Sequence, residues 1–122
     1  MPKRLLIVDD SSMMRKAVTR MVEDAGYLVA GEARNGIEAV ELYRDLKPDA
    51  VTMDITMREL DGIEAAKMIL SNDPGARIVF FSNLDDEKIQ DETIRIGALG
   101  FANKHKPPDL ISLLNSVLEE TH

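Results

Sequence analysis

Short apolar runs and helix-type repeats alternate five times along this chain of 122 residues. Within the helix-type repeats, apolar residues recur at intervals of three and four, which is typical of helices with one buried face. The apolar runs predict strands at Lys3–Val8, Leu28–Ala33, Ala50–Met53, Arg77–Phe81 and Gly100–Lys104. Strands that are apolar almost throughout, each followed by a helix, predict a parallel sheet covered on both faces. Because such crossovers are right-handed, we expect a doubly wound α/β domain with a five-stranded parallel sheet and five helices.

The helical repeats lie at residues 14–25, 37–43, 63–70, 86–96 and 110–118. Turn residues follow several of them, including Gly26 after the first, Pro48 beyond the second and Gly97 after the fourth. No linker, internal repeat or low-complexity stretch separates one part of the chain from another. We therefore expect one domain spanning residues 1–122.

Composition limits the classes of function. Apolar residues make up 44% of the chain and charged residues 30%, which indicates a globular protein rather than a disordered one. Without cysteine the chain has neither disulfides nor thiolate metal sites. A net charge of −7 argues against direct nucleic-acid binding, which needs cationic surface. No apolar stretch could span a bilayer, so we expect a cytoplasmic protein without a membrane partner.

Chemistry is expected where the strands end. In open α/β sheets, ligands bind beyond the carboxyl ends of the strands. The second strand delivers Arg34 and Asn35, which we expect to one side. The residues at the ends of the other four strands are three carboxylates, one hydroxyl and one amine: Asp9, Asp10, Asp54, Ser82 and Lys104.

Three neighbouring carboxylates repel one another unless a cation lies among them. Two like charges about 4 Å apart cost about 4 kcal/mol at an effective dielectric constant of 20. An all-oxygen site of this kind suits Mg²⁺. The cation would in turn attract an anion, and a phosphoryl group bonded to a carboxylate could be held by Ser82 and Lys104. The alternative for Asp9 and Asp10 is capping of the first helix, but a cap needs only one such residue.

The segments that carry these residues resemble a known family. LLIVDDSSMMR, AVTMDITMRELDGIEA, IVFFSN and GALGFANK are similar to the receiver domain of bacterial response regulators, particularly the single-domain CheY-like chemotaxis type. The resemblance extends from Lys3 to about Leu118. It implies the flavodoxin-like strand order 2-1-3-4-5, for which CheY is itself an example, so this order is taken over rather than worked out from the residues.

The resemblance implies a phosphoacceptor and a metal site. Asp54 would be the nucleophile that takes a phosphoryl group from a sensor histidine kinase or from a small donor such as acetyl phosphate. Asp10 and Asp54 would ligate Mg²⁺ directly, and Asp9 would assist through water. The backbone carbonyl of Thr56 would supply a further ligand.

The resemblance also implies residues that bind the phosphoryl group and a conformational switch. Ser82 would hydrogen-bond one phosphoryl oxygen and Lys104 would pair with another. Phe101 matches the aromatic switch position, whose ring turns inward when the Ser82 hydroxyl moves. A partner would read this change on the face of the fourth helix, fifth strand and fifth helix. Candidate readers are a motor switch protein, a phosphatase and an output domain. The chain would catalyse its own phosphorylation and dephosphorylation without being a turnover enzyme for other substrates.

Three positions depart from the family pattern. His105 follows Lys104 where proline is usual after a cis bond, so we expect a trans peptide here. A rival alignment would make Lys106 the phosphate-binding lysine, although the spacing from the preceding glycine favours Lys104. Arg58 replaces a usual proline and adds a cation. Asn83 replaces a small residue, and its bulk predicts slower phosphoryl exchange at Asp54.

Other functions fit the sequence less well. A haloacid-dehalogenase-type phosphatase needs a second aspartate where Thr56 stands, and a flavodoxin's phosphate would be repelled by Asp9 and Asp10. No phosphate-binding loop of the nucleotide-enzyme type follows the first strand. The serious alternative is a pseudo-receiver, the same fold acting as an unphosphorylated interaction module, and His105 favours it.

Overall fold

The computed structural model describes residues 2–84 and 86–119, and in that part of the chain five strands alternate with five helices. All four strand pairs are parallel, and the sheet order is β2-β1-β3-β4-β5, which confirms the order taken over from the resemblance. None of the described helices has the length and apolar character needed to cross a bilayer. In chain order the elements are β1 (Arg4–Val8), α1 (Ser12–Asp24), β2 (Leu28–Ala33), α2 (Gly36–Leu46), β3 (Ala50–Met53), α3 (Gly62–Asn72), β4 (Ile78–Ser82), α4 (Glu87–Arg95), β5 (Gly100–Asn103) and α5 (Pro107–Leu118).

Three predicted strands are wrong at their ends by one residue. β1 begins at Arg4 instead of Lys3, β4 runs one residue later than predicted, and β5 ends at Asn103 instead of Lys104. Ser82, which was predicted to follow the strand, lies opposite Asn103 in the last pair between β4 and β5 and therefore belongs to β4. Lys104 has no residue of β4 opposite it, although its backbone N–H still donates to the Ser82 carbonyl at 3.0 Å.

The sheet is covered on both faces because alternate side chains of its strands point to opposite sides. In β1, Leu6 and Val8 pack with α2 and α3, whereas Leu5 and Ile7 pack with α1 and α5. The half-buried Ile89 of α4 joins the first of these two cores. All four of these β1 side chains are at most 2% exposed, which explains why the strand is apolar without alternation.

Two glycines hold the loop between β3 and α3 close to its neighbours. A Cβ atom on Gly62 would lie 1.9 Å from the Asp54 carbonyl oxygen, and one on Gly36 would lie 2.1 Å from the Leu60 carbonyl oxygen. Both glycines use the space to form hydrogen bonds: Gly62 N–H donates to Ile55 O at 2.7 Å, and Gly36 N–H donates to Leu60 O at 3.0 Å. Residues 54–62 are therefore pinned near both ends, and no larger residue fits either position without movement.

Candidate functional site

The carboxyl ends of β1 and β3 bring three acids together. Asp9, Asp10 and Asp54 each offer a carboxylate oxygen, and these oxygens lie within 4.8 Å of one another. The Asp54 backbone N–H donates to Val8 O at 3.0 Å, which joins the two strand ends. Asp9 is 3% exposed and Asp54 is 8% exposed, whereas Asp10 faces solvent. The sequence-predicted acidic cluster therefore exists, with two of its members buried.

Lys104 lies against the two buried acids. Its Nζ donates to Asp9 Oδ2 at 2.7 Å and lies 3.5 Å from Asp54 Oδ2. The Lys104 side chain is 9% exposed. Lys106, the lysine of the rival alignment, is instead the exposed N-cap residue of α5. The structure thus brings Lys104, and not Lys106, to the acids.

Burial dominates the electrostatics of Asp54. It raises the pKa of the carboxyl above its ordinary 3.8, and the negative charge of Asp9 raises it further. The Lys104 ammonium opposes this rise, as does the Ile55 N–H, which donates to Asp54 Oδ1 at 2.9 Å. The net shift of this pKa is upward, so burial outweighs the positive charge of Lys104.

The first helix does not use these acids as its cap. Ser11 is the N-cap of α1, and its Oγ accepts from Met14 N–H at 3.1 Å. Asp9 Oδ1 accepts from Ser11 N–H at 2.9 Å, and this hydrogen bond fixes the orientation of the carboxylate. A helix capped by serine leaves both acids of the pair available as ligands.

Ser82, Phe101 and Thr56 lie in the expected parts of the fold. Ser82 ends β4, is 2% exposed, and accepts through Oγ from Leu84 N–H at 3.2 Å. Phe101 on β5 is half-buried and packs against the core shared with α2 and α3. Thr56 lies exposed in the loop after β3, two residues beyond Asp54. The structure thus places Phe101 between core and surface.

Comparison with known proteins decides the family. Residues 5–115 match the model of the response regulator receiver domain. The chain belongs to the response regulator receiver family. The receiver is 48% identical over 118 residues to the chemotaxis protein CheY of Thermotoga maritima, a match covering 96% of this chain and 98% of that protein.

Two further relatives show where such a receiver occurs. It is 42% identical over 119 residues to a protein-glutamate methylesterase/protein-glutamine glutaminase of Archaeoglobus fulgidus, covering 96% of this chain and 33% of that protein. Among solved structures, CheY in the CheX–CheY–BeF3–Mg²⁺ complex from Borrelia burgdorferi superposes with a TM-score of 0.94. That match has 32% identity and covers 98% of this chain and 92% of the other. The same fold thus occurs alone and within a longer protein.

The donor set of the receiver fits a hard cation. Three carboxylates supply only oxygen ligands, and the exposed position of Asp10 leaves room for water on one side. Mg²⁺ takes one or two carboxylates and keeps several waters, so the acidic cluster fits a Mg²⁺ site. Burial raises the pKa of Asp54, and a bound cation would lower it by favouring the ionised carboxylate.

The three departures from the family pattern surround this site. The peptide between Lys104 and His105 is trans, which confirms that prediction, and His105 N–H donates to Asn103 Oδ1 at 2.7 Å. Asn83 is exposed beside Ser82. Arg58 lines a cavity of about 310 Å³ together with Asp10 of the acidic cluster and with the two residues that follow β2. The lining residues are Asp10, Arg34, Asn35, Arg58 and Glu59.

One residue beside the site was missed from the sequence. Arg15 lies in the first turn of α1, and its Nη1 donates to the Asp9 carbonyl oxygen at 2.7 Å. A cation at this end of a helix opposes the helix dipole. The unfavourable position of Arg15 in its helix was the signal that the sequence offered, because it indicates that the side chain has a partner outside α1.

Proposed function

We propose that residues 1–122 form a phosphoacceptor domain of a two-component phosphorelay, which takes a phosphoryl group on Asp54 from a sensor histidine kinase. The observation that carries the proposal is the meeting of Asp9, Asp10 and Asp54 with Lys104 at one edge of the sheet. A lysine and a divalent cation together neutralise the charge of an arriving phosphoryl group, which is most of what phosphoryl transfer requires of a protein.

The transfer is an in-line displacement. An Asp54 carboxylate oxygen bonds to phosphorus while the phosphorus–nitrogen bond of the kinase's phosphohistidine breaks, and the departing imidazole nitrogen keeps the electron pair and takes up a proton from solvent water. Ile55 N–H orients the carboxylate by holding its Oδ1. Lys104 exchanges Asp9 for a phosphoryl oxygen. Ser82 accepts from a backbone N–H, so its own hydroxyl hydrogen can be donated to another phosphoryl oxygen.

A metal completes the site. Mg²⁺ would be held by Asp10 and Asp54, by Asp9 through water and by the Thr56 carbonyl, and it supplies charge neutralisation for the transferring group. The acidic cluster supports this assignment, and so does the Mg²⁺ in the Borrelia burgdorferi CheX–CheY complex. The same residues would catalyse loss of the phosphoryl group to water, so the chain is a signalling protein and not a turnover enzyme.

The output is a change in partner binding. Movement of Ser82 toward the phosphoryl group would let the Phe101 ring turn inward and shift a two-state equilibrium. Phe101 shares a cavity of about 360 Å³ with residues of α4, β5 and α5, which supports this face as the reading surface. The chemotaxis relatives favour a motor switch protein or phosphatase as reader in the cytoplasm, and an output domain is the third candidate.

Acetyl phosphate tests the proposal directly. The wild-type protein, incubated with acetyl phosphate and Mg²⁺, should gain the mass of one phosphoryl group in intact-mass spectrometry, and it should gain none in excess EDTA. Asp54→Asn should gain none in either condition. Wild-type protein that stays unmodified would favour the pseudo-receiver, and modification of Asp54→Asn would place the acceptor elsewhere.

A further inference from the structure

Arg15 links three parts of the fold through hydrogen bonds next to the acidic cluster. Its Nη1 donates to the Asp9 carbonyl oxygen at 2.7 Å, and its Nε donates to Glu32 Oε1 at 3.1 Å. Arg15 belongs to α1, Glu32 to β2, and Asp9 follows β1. The Arg15 side chain is only 16% exposed, although it is a charged residue of an outer helix. A planar guanidinium with two acceptors at different angles is held in one orientation.

The contact with Arg15 completes the fixation of Asp9. The Asp9 backbone N–H donates to Ala33 O at 3.0 Å. Its carboxylate accepts from Ser11 N–H through Oδ1 and from Lys104 Nζ through Oδ2. The carbonyl oxygen is the remaining polar group, and Arg15 holds it. Every hydrogen-bonding group of Asp9 therefore has a partner.

Fixing this carbonyl also orients Asp10. The carbonyl belongs to the peptide between Asp9 and Asp10, and a peptide is planar, so its orientation sets the position of the next Cα atom. Asp10 is exposed and lies in a loop, where packing holds it least. Small displacements of ligand oxygens matter for Mg²⁺, which demands near-octahedral geometry.

We propose that Arg15, held by Glu32, is a positioning residue that sets the Asp9–Asp10 peptide and thereby aims both carboxylates at the metal. This inference rests on the proposed function, since it needs the acidic cluster to bind Mg²⁺. Residues that orient metal ligands typically change metal affinity by about 10–100-fold when they are replaced.

Electrostatics alone predicts the opposite sign. Arg15 is a cation beside a cation site, so removing its charge without moving any ligand would tighten Mg²⁺ binding. The positioning role instead predicts weaker binding when the hydrogen bonds are lost. Arg15→Met keeps an unbranched side chain as far as about the Nε position and removes both the bonds and the charge. Arg15→Lys keeps the charge and cannot make both bonds in the same geometry.

The experiment is titration of the metal-free, full-length protein with Mg²⁺ by calorimetry, together with the Tm of each variant in EDTA. Arg15→Met should raise the Kd for Mg²⁺ about tenfold. Arg15→Lys should raise it by an intermediate factor. The matched control is Lys16→Met, which removes an exposed cation one residue further along α1 and should leave the Kd within about twofold of wild type or tighten it.

The outcomes separate the two proposals. Failure of the wild-type protein to bind Mg²⁺ would remove the metal site and this inference together. A wild-type site with unchanged or tighter binding in Arg15→Met, whatever its Tm, would overturn the positioning role alone. If Arg15→Met does not fold, Arg15→Lys decides: unchanged affinity contradicts the inference and weaker affinity supports it.

Discussion

The two edges of the sheet treat their acidic residues differently. At the amino edge, which we define by Arg4, Tyr43, Asp49 and Asp73, each acid has donors of its own. Asp49 accepts from Arg4 backbone N–H at 2.7 Å, and Asp73 accepts from the Tyr43 hydroxyl at 2.6 Å. At the carboxyl edge, defined by Asp9, Asp10, Asp54 and Lys104, the two buried acids have one backbone donor each and in addition share the ammonium group of Lys104.

This difference indicates that the acids of the two edges have different roles in the same fold. The amino-edge acids are matched by groups that the chain already contains, so they stabilise its turns and strand starts. At the carboxyl edge, burial raises the pKa of Asp54, although Lys104 and the Ile55 N–H oppose the rise. The cluster of three acids at this edge fits a further cation.

Loss of Lys104 should have the largest effect and should be confined to the carboxyl edge. Lys104→Met removes the ammonium that would neutralise the phosphoryl oxygens, so phosphorylation by acetyl phosphate should slow by about 10²–10³-fold. Lys106→Met and, at the amino edge, Tyr43→Phe should leave the rate within about twofold of wild type. The initial rate of phosphate incorporation measures all three. A comparable loss in Lys106→Met would revive the rival alignment.

The two edges should also differ in their tolerance of alanine for glycine. Gly62→Ala should lower the free energy of unfolding by about 3 kcal/mol, because the new Cβ would meet the Asp54 carbonyl oxygen. Gly75→Ala at the amino edge should change it by less than about 0.5 kcal/mol, because its Cβ would meet only Asp73 Oδ1 at 3.5 Å. Urea unfolding measures both. Equal losses would mean that the approach of Gly62 to Asp54 is not structurally demanding.

The pH dependence of stability should reveal the raised pKa of the buried Asp54. Burial and Asp9 raise the pKa of Asp54 despite Lys104. A carboxyl whose pKa is raised by folding stabilises the fold below its unfolded pKa, and that contribution is lost as pH rises through the folded pKa. In EDTA, the wild-type protein should therefore lose stability relative to Asp54→Asn as pH rises from about 4 toward 7.

The amino edge provides the control for this pH series. Burial first, and then its hydrogen bond to Asp73, raise the pKa of Tyr43 above its ordinary 10.0, so Tyr43 stays neutral throughout that range. Tyr43→Phe should consequently shift the urea-unfolding curve by a constant amount. If the difference in the free energy of unfolding between wild type and Asp54→Asn is also constant with pH, folding does not raise the pKa of Asp54.

The smallest effect is expected at Asn83. Asn83 is exposed and follows Ser82, and if its bulk restricts access to Asp54 as we propose, Asn83→Ala should raise the rate of phosphorylation by acetyl phosphate about twofold. Asn72→Ala, which removes an exposed amide near the amino edge, should leave the rate unchanged. An unchanged or lower rate in Asn83→Ala would remove the idea that this side chain restricts access.

Most of the fold was predictable because local pattern and global topology agree. Strand β1 is buried on both faces, so its apolar run is unbroken, and Gly26 and Gly97 adopt the positive φ angles expected after helices. The strand ends were less predictable. Whether Ser82 or Lys104 belongs to a strand depends on the residue opposite, which is a property of the neighbouring strand.

The candidate site was predictable in its members and not in their pairing. Strand ends placed Asp9, Asp54 and Lys104 at one edge, since parallel strands share a direction. That Lys104 approaches Asp9 more closely than Asp54 follows from side-chain geometry that no local pattern encodes. The contact from Arg15 to a backbone carbonyl is equally invisible to spacing, although its position against the helix dipole was a warning.

The most direct measurement is a crystal structure of the wild-type protein with Mg²⁺ and beryllofluoride. We expect the metal among Asp9, Asp10 and Asp54, the beryllium bonded to a carboxylate oxygen of Asp54, and Lys104 Nζ moved from Asp9 Oδ2 to a fluorine atom. A carboxyl edge that binds neither group at saturating concentration, with Lys104 still 2.7 Å from Asp9, would contradict the account.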